Sequence, residues 1–279
     1  LAIATLMDLD GGSGRNMGAA GIAIGLGTAL GAPGGGQLYA RGPFVPLVVA
    51  AACMLGAAGL AGVVTDRAGA SRGGARAAVR GLRERPALGL PYALGFIDRL
   101  TAGFFALVGT VYFQTELGLD AAGTGLMLGL FFGPFALLQY PAGVLSDRVG
   151  RAIPVVVGSV CYGLGIIAVG VAPSLWIAIV AMIAVGALGA LVSPATMALV
   201  TDVASVETRG AALGGFNVFG SLGFLAGFLL GGTTTASAGY LSAFVVVGLA
   251  EVAIAVVAAR AVWRISGSTY SWPETRTGS

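Results

Sequence analysis

Eight apolar, nearly uncharged runs follow one another along the chain, at roughly 17–36, 43–65, 90–113, 121–144, 153–171, 174–200, 211–232 and 239–262. A helix of about 20 residues is what the hydrocarbon layer of a bilayer requires, and each run is long enough to supply one. Short polar segments separate them, so the pattern predicts an all-α integral membrane protein. Residues 1–7, Leu-Ala-Ile-Ala-Thr-Leu-Met, look like the end of one more helix. With no basic stretch and no cleavage site they do not read as a signal peptide, so the sequence is expected to open within a helix.

Charge then sets the orientation. All 15 basic residues are arginines, and threading the eight runs in order places thirteen of them on one side of the bilayer. Arg41 lies on the other side and Arg99 inside a run. The arginine-bearing side is expected to be cytoplasmic, with the C-terminus on it, in the plasma membrane. Hydrophobic residues make up 57% of the chain, charged residues 10%, and mean hydropathy is +0.92, so the net charge of +3 is a topological signal and implies no nucleic-acid partner. Cys53 and Cys161 both fall in apolar runs, as small buried hydrophobes do, and not as a disulfide or metal pair. The absence of histidine removes imidazole chemistry and most zinc sites; no metal, cofactor or enzymatic activity is expected.

An internal repeat refines the topology. Gly27-x3-Gly31-x3-Gly35-Gly36 recurs as Gly223-x3-Gly227-x3-Gly231-Gly232, Met17-Gly18 returns as Leu213-Gly214, and, with a slip, Asp8 and Arg15 match Asp202 and Arg209. Both copies enter the membrane from the same side, which describes a parallel repeat about an axis along the membrane normal. By this alignment about three and a half helices of the first repeat precede Leu1, the intact protein has two halves of six helices, and residues 1–279 by themselves are expected not to transport.

Gly143-Val144-Leu145-Ser146-Asp147-Arg148-Val149-Gly150-Arg151, between the fourth and fifth runs, resembles the loop signature of the major facilitator superfamily (MFS), in its second-half copy between helices eight and nine. It departs from the usual pattern at Ser146. Physically, Gly143 allows close helix approach, Asp147 can accept hydrogen bonds from a helix N-terminus, Gly150 permits a tight turn, and Arg148 and Arg151 anchor the cytoplasmic face. Gly27, Gly31, Pro33, Gly35 and Gly36 are similar to the glycine-rich motif in the fifth helix of the superfamily's exporters, with Pro33 one place beyond the usual proline. A stripe of glycines four apart lets another backbone sit on it, and the resemblance implies that it seals the contact between the halves; generic helix packing is the alternative.

The resemblance implies an MFS fold comprising the end of helix four and helices five to twelve. Residues 1–65 belong to the first half, 66–89 form an arginine-rich cytoplasmic linker, 90–262 the second half and 263–279 a polar tail. Arg72, Arg76, Arg80 and Arg83 share a face if the linker is helical, and Pro86 ends it. The ionisable groups inside the runs are Asp98, Arg99 and Glu251, each costing about 2.5–3.5 kcal/mol on insertion scales and so a functional candidate. At regular helical spacing Asp98, Thr101, Phe105 and Tyr112 share one face, while Arg99 points about 100° away, free to snorkel to the interface. Asp98 is a candidate proton-coupling group, or a gate partner, or half of a structural ion pair. Glu251 suits a structural or interface role.

The resemblance places helices seven, eight, ten and eleven around the solute path. Their candidate lining residues are Thr101, Phe105 and Tyr112; Phe131, Phe135 and Gln139; Ser193 and Thr196; and Asn217 and Ser221. Such a lining is aromatic and apolar with a few neutral hydrogen-bonding groups, which suits an amphiphilic or hydrophobic small molecule. The expectation is a monomeric secondary transporter in the lipid bilayer, working by alternating access and coupling export of a small organic solute to protons. An uptake symporter or facilitator of the same fold, or a sensor that does not transport, are the alternatives.

Overall fold

The computed structural model describes residues 13–63, 81–205 and 208–269, all without strand. Helix α1 spans Ser13–Tyr39, α2 Val45–Val63, α3 Gly89–Phe104, α4 Thr110–Thr115, α5 Ala121–Val149, α6 Ala152–Gly170, α7 Leu175–Val203 and α8 Arg209–Thr269. A 3-10 turn, Pro86–Leu88, leads into α3, and a π turn, Phe105–Gly109, joins α3 to α4. Among the described residues five helical stretches are long and apolar enough to cross a membrane. Gly239, at φ 82°, divides α8 into two limbs, a left-handed conformation that glycine adopts without steric cost. Within the described residues, every apolar run predicted from the sequence falls mainly on a helical segment.

The predicted linker stripe at Arg72, Arg76 and Arg80 lies outside the described residues, as do Asp8 of the repeat and the tail from residue 270. Pro86 opens the 3-10 turn, where its missing N–H costs nothing. Just before it, Arg85 Nη1 donates to the Val203 carbonyl at 3.3 Å, placing a cation at the C-terminal end of α7. At the opposite end of the bundle Asp120 caps α5, its Oδ1 accepting from the Gly123 N–H at 2.7 Å.

Helices α3, α5, α6, α7 and α8 surround a core in which rings meet edge to face. Phe244 is the hub, with ring centroids 4.9 Å from Phe104 and 4.9 Å from Tyr112. The outer faces carry exposed aliphatic and aromatic side chains, such as Val180 and Val257, as a lipid-facing surface requires. Glycines set the closest crossings. Gly223, Gly227 and Gly231 on α8 lie directly against Phe96, Leu100 and Phe104 on α3, leaving no room for a side chain. Gly163 on α6 and Gly248 on α8 meet so that a Cβ on either would stand 2.5 Å from the other's carbonyl oxygen.

The first copy of the glycine repeat behaves differently. Helix α1 packs antiparallel on α5, but through Gly25 against Ala136, Ala32 against Gly125, Pro33 against Gly129 and Gly36 against Ala121. Gly27, Gly31 and Gly35 have nothing within 4 Å. Of the predicted sealing stripe, therefore, only Pro33 and Gly36 touch α5. The three remaining glycines are spaced by four, and that spacing carries them along a different face of α1 from the one in contact.

Candidate functional site

Two constellations stand out, one inside the bundle and one at its arginine-bearing end. The first is a cavity of about 170 Å³ between α1, α3, α5, α6, α7 and α8. Helix α5 provides its aromatic wall. Phe131 and Phe135, one turn apart, stack with centroids 5.7 Å apart, and Phe132 sets its edge on Phe131 at 4.8 Å. Gln139, one turn further on, is 1% exposed, and its Oε1 has no hydrogen-bond partner. Asp98 and Arg99 on α3, Tyr162 on α6 and Ser193 on α7 add the polar contribution.

Of the predicted lining residues, Phe131, Phe135, Gln139 and Ser193 meet at this cavity, and the candidate coupling residues Asp98 and Arg99 join them there. Thr101, Phe105 and Tyr112 do not; all three are buried in the helix packing. Regular helical spacing placed them on the Asp98 face; the π turn at Phe105–Gly109 widens the helix and rotates Tyr112, beyond it, off that face, while Thr101 and Phe105, before and at its start, are covered by packing. Thr110 fills the loosened turn, its Oγ1 donating to the carbonyls of Ala106 at 3.1 Å and Phe105 at 3.3 Å. Thr196 and Asn217 also lie off the cavity, and both bond back to their own helices, to Val192 at 3.0 Å and Leu213 at 3.1 Å. Ser221 does the same with Asn217 at 2.9 Å.

Arg99 lies against Gly220 of α8, where a Cβ would come within 3.1 Å of its Cγ, and it lines the cavity beside Asp98. Asp98 is 8% exposed, enough to touch the cavity and too little to be hydrated as a surface acid is.

Glu251 was not grouped with the cavity from the sequence. In the fold it is 0% exposed, on the face of α8 that crosses α6, and Asp98 lies within electrostatic reach. Ser159 and Thr101 are its polar neighbours, yet neither carboxyl oxygen completes a well-formed hydrogen bond with them. Thr101 instead directs its hydroxyl to the Ile97 carbonyl at 3.5 Å. The sequence signal was the charge in mid-span; only the fold shows what it faces.

The second constellation is the turn between α5 and α6. Gly150 has φ 83°, and its Cα packs near Ser266, whose Oγ would stand 3.0 Å from an added Cβ. This turn directs Arg151 inward. Its Nη1 donates to Asp147 Oδ1 at 2.6 Å and to Ser146 Oγ at 3.0 Å, while Nε donates to Asp202 Oδ2 at 3.0 Å. Burial opposes the charge, but the Asp202 and Asp147 carboxylates outweigh it and hold the guanidinium above its ordinary range. Arg148 is exposed, in keeping with an interfacial anchor, whereas Arg151 is a partly buried fastener between helices. Asp202 was visible in the sequence only as a repeat partner of Asp8. An acid in the last turn of a helix opposes the helix dipole, and that conflict was the available sign that a cation sits beside it.

A bundle of long apolar helices around an aromatic-walled cavity, with a charged turn binding three helix ends, describes a polytopic membrane protein. Residues 92–270 match the Major Facilitator Superfamily, and the chain belongs to that family. It is 31% identical over 166 residues to an uncharacterized MFS-type transporter of Methanocaldococcus jannaschii, covering 58% of this chain and 42% of that protein. Over 176 residues it is 28% identical to the inner membrane transport protein YajR of Escherichia coli, covering 62% and 37%. It is also 27% identical over 140 residues to Multidrug resistance protein 1 of Bacillus subtilis, covering 48% and 36%. The chain thus spans less than half the length of the curated relatives it matches.

Proposed function

We propose that this chain forms the solute path and the cytoplasmic latch of a proton-driven exporter of small amphiphilic organic molecules. The carrying observation is that Asp98 lines the same cavity as the stacked Phe131 and Phe135. An aromatic wall receives an apolar solute, and the carboxyl at its edge provides the group a proton would occupy in exchange. Gln139 Oε1 offers an acceptor for a donor on the solute. Family membership supports secondary transport, and the name of the Bacillus subtilis relative favours small organic molecules as solutes.

The arginine-rich end is the cytoplasmic side by the positive-inside rule, which puts the protein in the plasma membrane with a cytoplasmic C-terminus. Residues 1–65 belong to the first half, 66–89 link it to the second half at 90–262, and 263–279 form the tail. The α1–α5 contact at Gly25, Pro33 and Gly36 then lies between the halves, where alternating access demands sliding or parting. The Arg151 fastening holds the ends of α5, α6 and α7 as one body while that contact changes.

Solute movement in proteoliposomes holding the full-length protein tests this reading, with a weakly charged aromatic dye as solute and a pH gradient as the driving force. The dye should accumulate against its gradient and stop when a protonophore collapses the pH difference. Accumulation that ignores the pH gradient and follows a sodium gradient would contradict proton coupling.

A further inference from the structure

Glu251 is an acid that the solute path as described does not use. It sits on the inner face of the second limb of α8, opposite the lipid-exposed Val256 and Val257, and is completely withdrawn from the surface. Its placement is set by backbone. Gly163 and Gly248 bring α6 and α8 into direct contact, and a Cβ at Gly163 would stand 3.2 Å from the Cβ of Glu251. One turn before Gly163 on α6 is Ser159, also buried and with its hydroxyl unpartnered. A carboxyl and a hydroxyl, both buried and both short of hydrogen bonds, thus face each other across a glycine crossing.

Such a group is costly unless something neutralises it. Insertion of a charge at a helix centre costs about 2.5–3.5 kcal/mol, and no cation forms an ion pair with Glu251; the close pairs among the described residues are those of Arg151. The charged and titratable groups that face it from the packed elements are Asp98, with Arg99 beside it, on α3 and Tyr162 on α6. The other titratable group within α6 is Cys161, the π turn has none, and α7 holds its single acid, Asp202, in its last turn. The nearest charged influence is therefore another carboxyl, which makes two simultaneous negative charges unfavourable.

We propose that Glu251 is a second proton-holding group of the transport site, exchanging one proton with the Asp98 carboxylate across the α3–α8 contact. The inference rests on the proton-coupled reading of the cavity and deepens it. Asp98 and Tyr162 line the cavity, while Glu251 is fully buried and packs against Gly163, the residue after Tyr162, so Asp98 is the side open to the cavity and Glu251 the protected store. In the transfer, the O–H bond of the Glu251 carboxylic acid breaks and an O–H bond forms on Asp98; no electron is exchanged and total charge is unchanged. A solute arriving at the aromatic wall meets an ionised Asp98 in one form and a neutral one in the other, which gives the stored proton a route to affect binding.

Infrared spectroscopy of the full chain in lipid, without solute, tests the proposal. At neutral pH the C=O stretch of an un-ionised carboxyl is expected, lost in Glu251→Gln and shifted in frequency in Asp98→Asn. A spectrum unchanged by Glu251→Gln would show that Glu251 holds no proton, and one unchanged by Asp98→Asn would show that the two acids do not communicate; either overturns the proposal. Should Glu251→Gln fail to fold, Glu251→Asp keeps the acid and must displace the same band. The band requires no transport, so its loss of support is distinct from failure of the exporter reading: a band that behaves as expected beside pH-independent dye flux would remove the coupling and leave the proton site.

Discussion

The Arg151 guanidinium joins Asp202, the penultimate residue of α7, to the turn that begins α6, with Nε donating to Oδ2 at 3.0 Å. The same guanidinium holds Asp147 in the last turn of α5. One side chain therefore ties three helix ends, and the acids it binds are 51 and 4 residues away in sequence.

Removing one partner of this cluster leaves a buried charge uncompensated, a loss on the order of 3 kcal/mol. Arg151→Met should accordingly lower the thermal unfolding midpoint in detergent and slow transport, whereas Arg148→Met, at an exposed position, should do neither. Because Arg151 is held above its ordinary range, its contribution is complete below the unfolded value and is lost only as pH rises through the folded one. Melting curves of the protein should therefore show no Arg151-dependent loss across the physiological range.

Asp147→Asn keeps a hydrogen-bond acceptor for Arg151 but removes half of its anionic support. Membrane insertion should be unaffected while the transport rate falls strongly, because the fastening that keeps α5 and α6 together is weakened. A wild-type rate in proteoliposomes would remove Asp147 from any gating role.

Gly150→Ala should destabilise by about 1–3 kcal/mol, because φ 83° with ψ 164° lies in a backbone region that is essentially glycine's alone. The Ser266 contact adds to that, since an added methyl would meet its Oγ at 3.0 Å. Combining Gly150→Ala with Ser266→Gly should recover the contact portion and leave the backbone portion, as read from unfolding midpoints.

The two glycine registers on α1 separate in the same way. Gly36→Val should disrupt the α1–α5 contact and transport, because Ala121 lies directly against that position. Gly27→Ala meets nothing within 4 Å in this chain and should leave the α1–α5 contact intact. Disulfide trapping between engineered cysteines across α1 and α5 measures both.

How far the sequence could be read follows from what each signal encodes. Hydrophobic length located the helices, since a bilayer imposes it directly, and the turn of Gly150 and Arg151 was legible because charge is confined almost entirely to the segments between spans. The repeat exposed Gly223, Gly227 and Gly231 as a packing stripe, and they are one. Its first copy misdirected the reading of α1, because Gly21 and Gly25, which meet Gln139 and Ala136, are outside the motif. The π turn hid the true register of Tyr112, since nothing in Phe-Ala-Leu-Val-Gly distinguishes a widened turn from a regular one. Glu251 and Ser159 lie 92 residues apart in sequence and become neighbours only through the crossing at Gly163 and Gly248.

Transport by Asp98→Asn in full-length protein tests the central claim most directly. The carboxamide has nearly the shape of the acid and cannot carry the exchanged proton, so dye accumulation driven by a pH gradient should be abolished while dye binding and exchange without a gradient persist. Accumulation that keeps its full dependence on the pH gradient in Asp98→Asn would contradict the account.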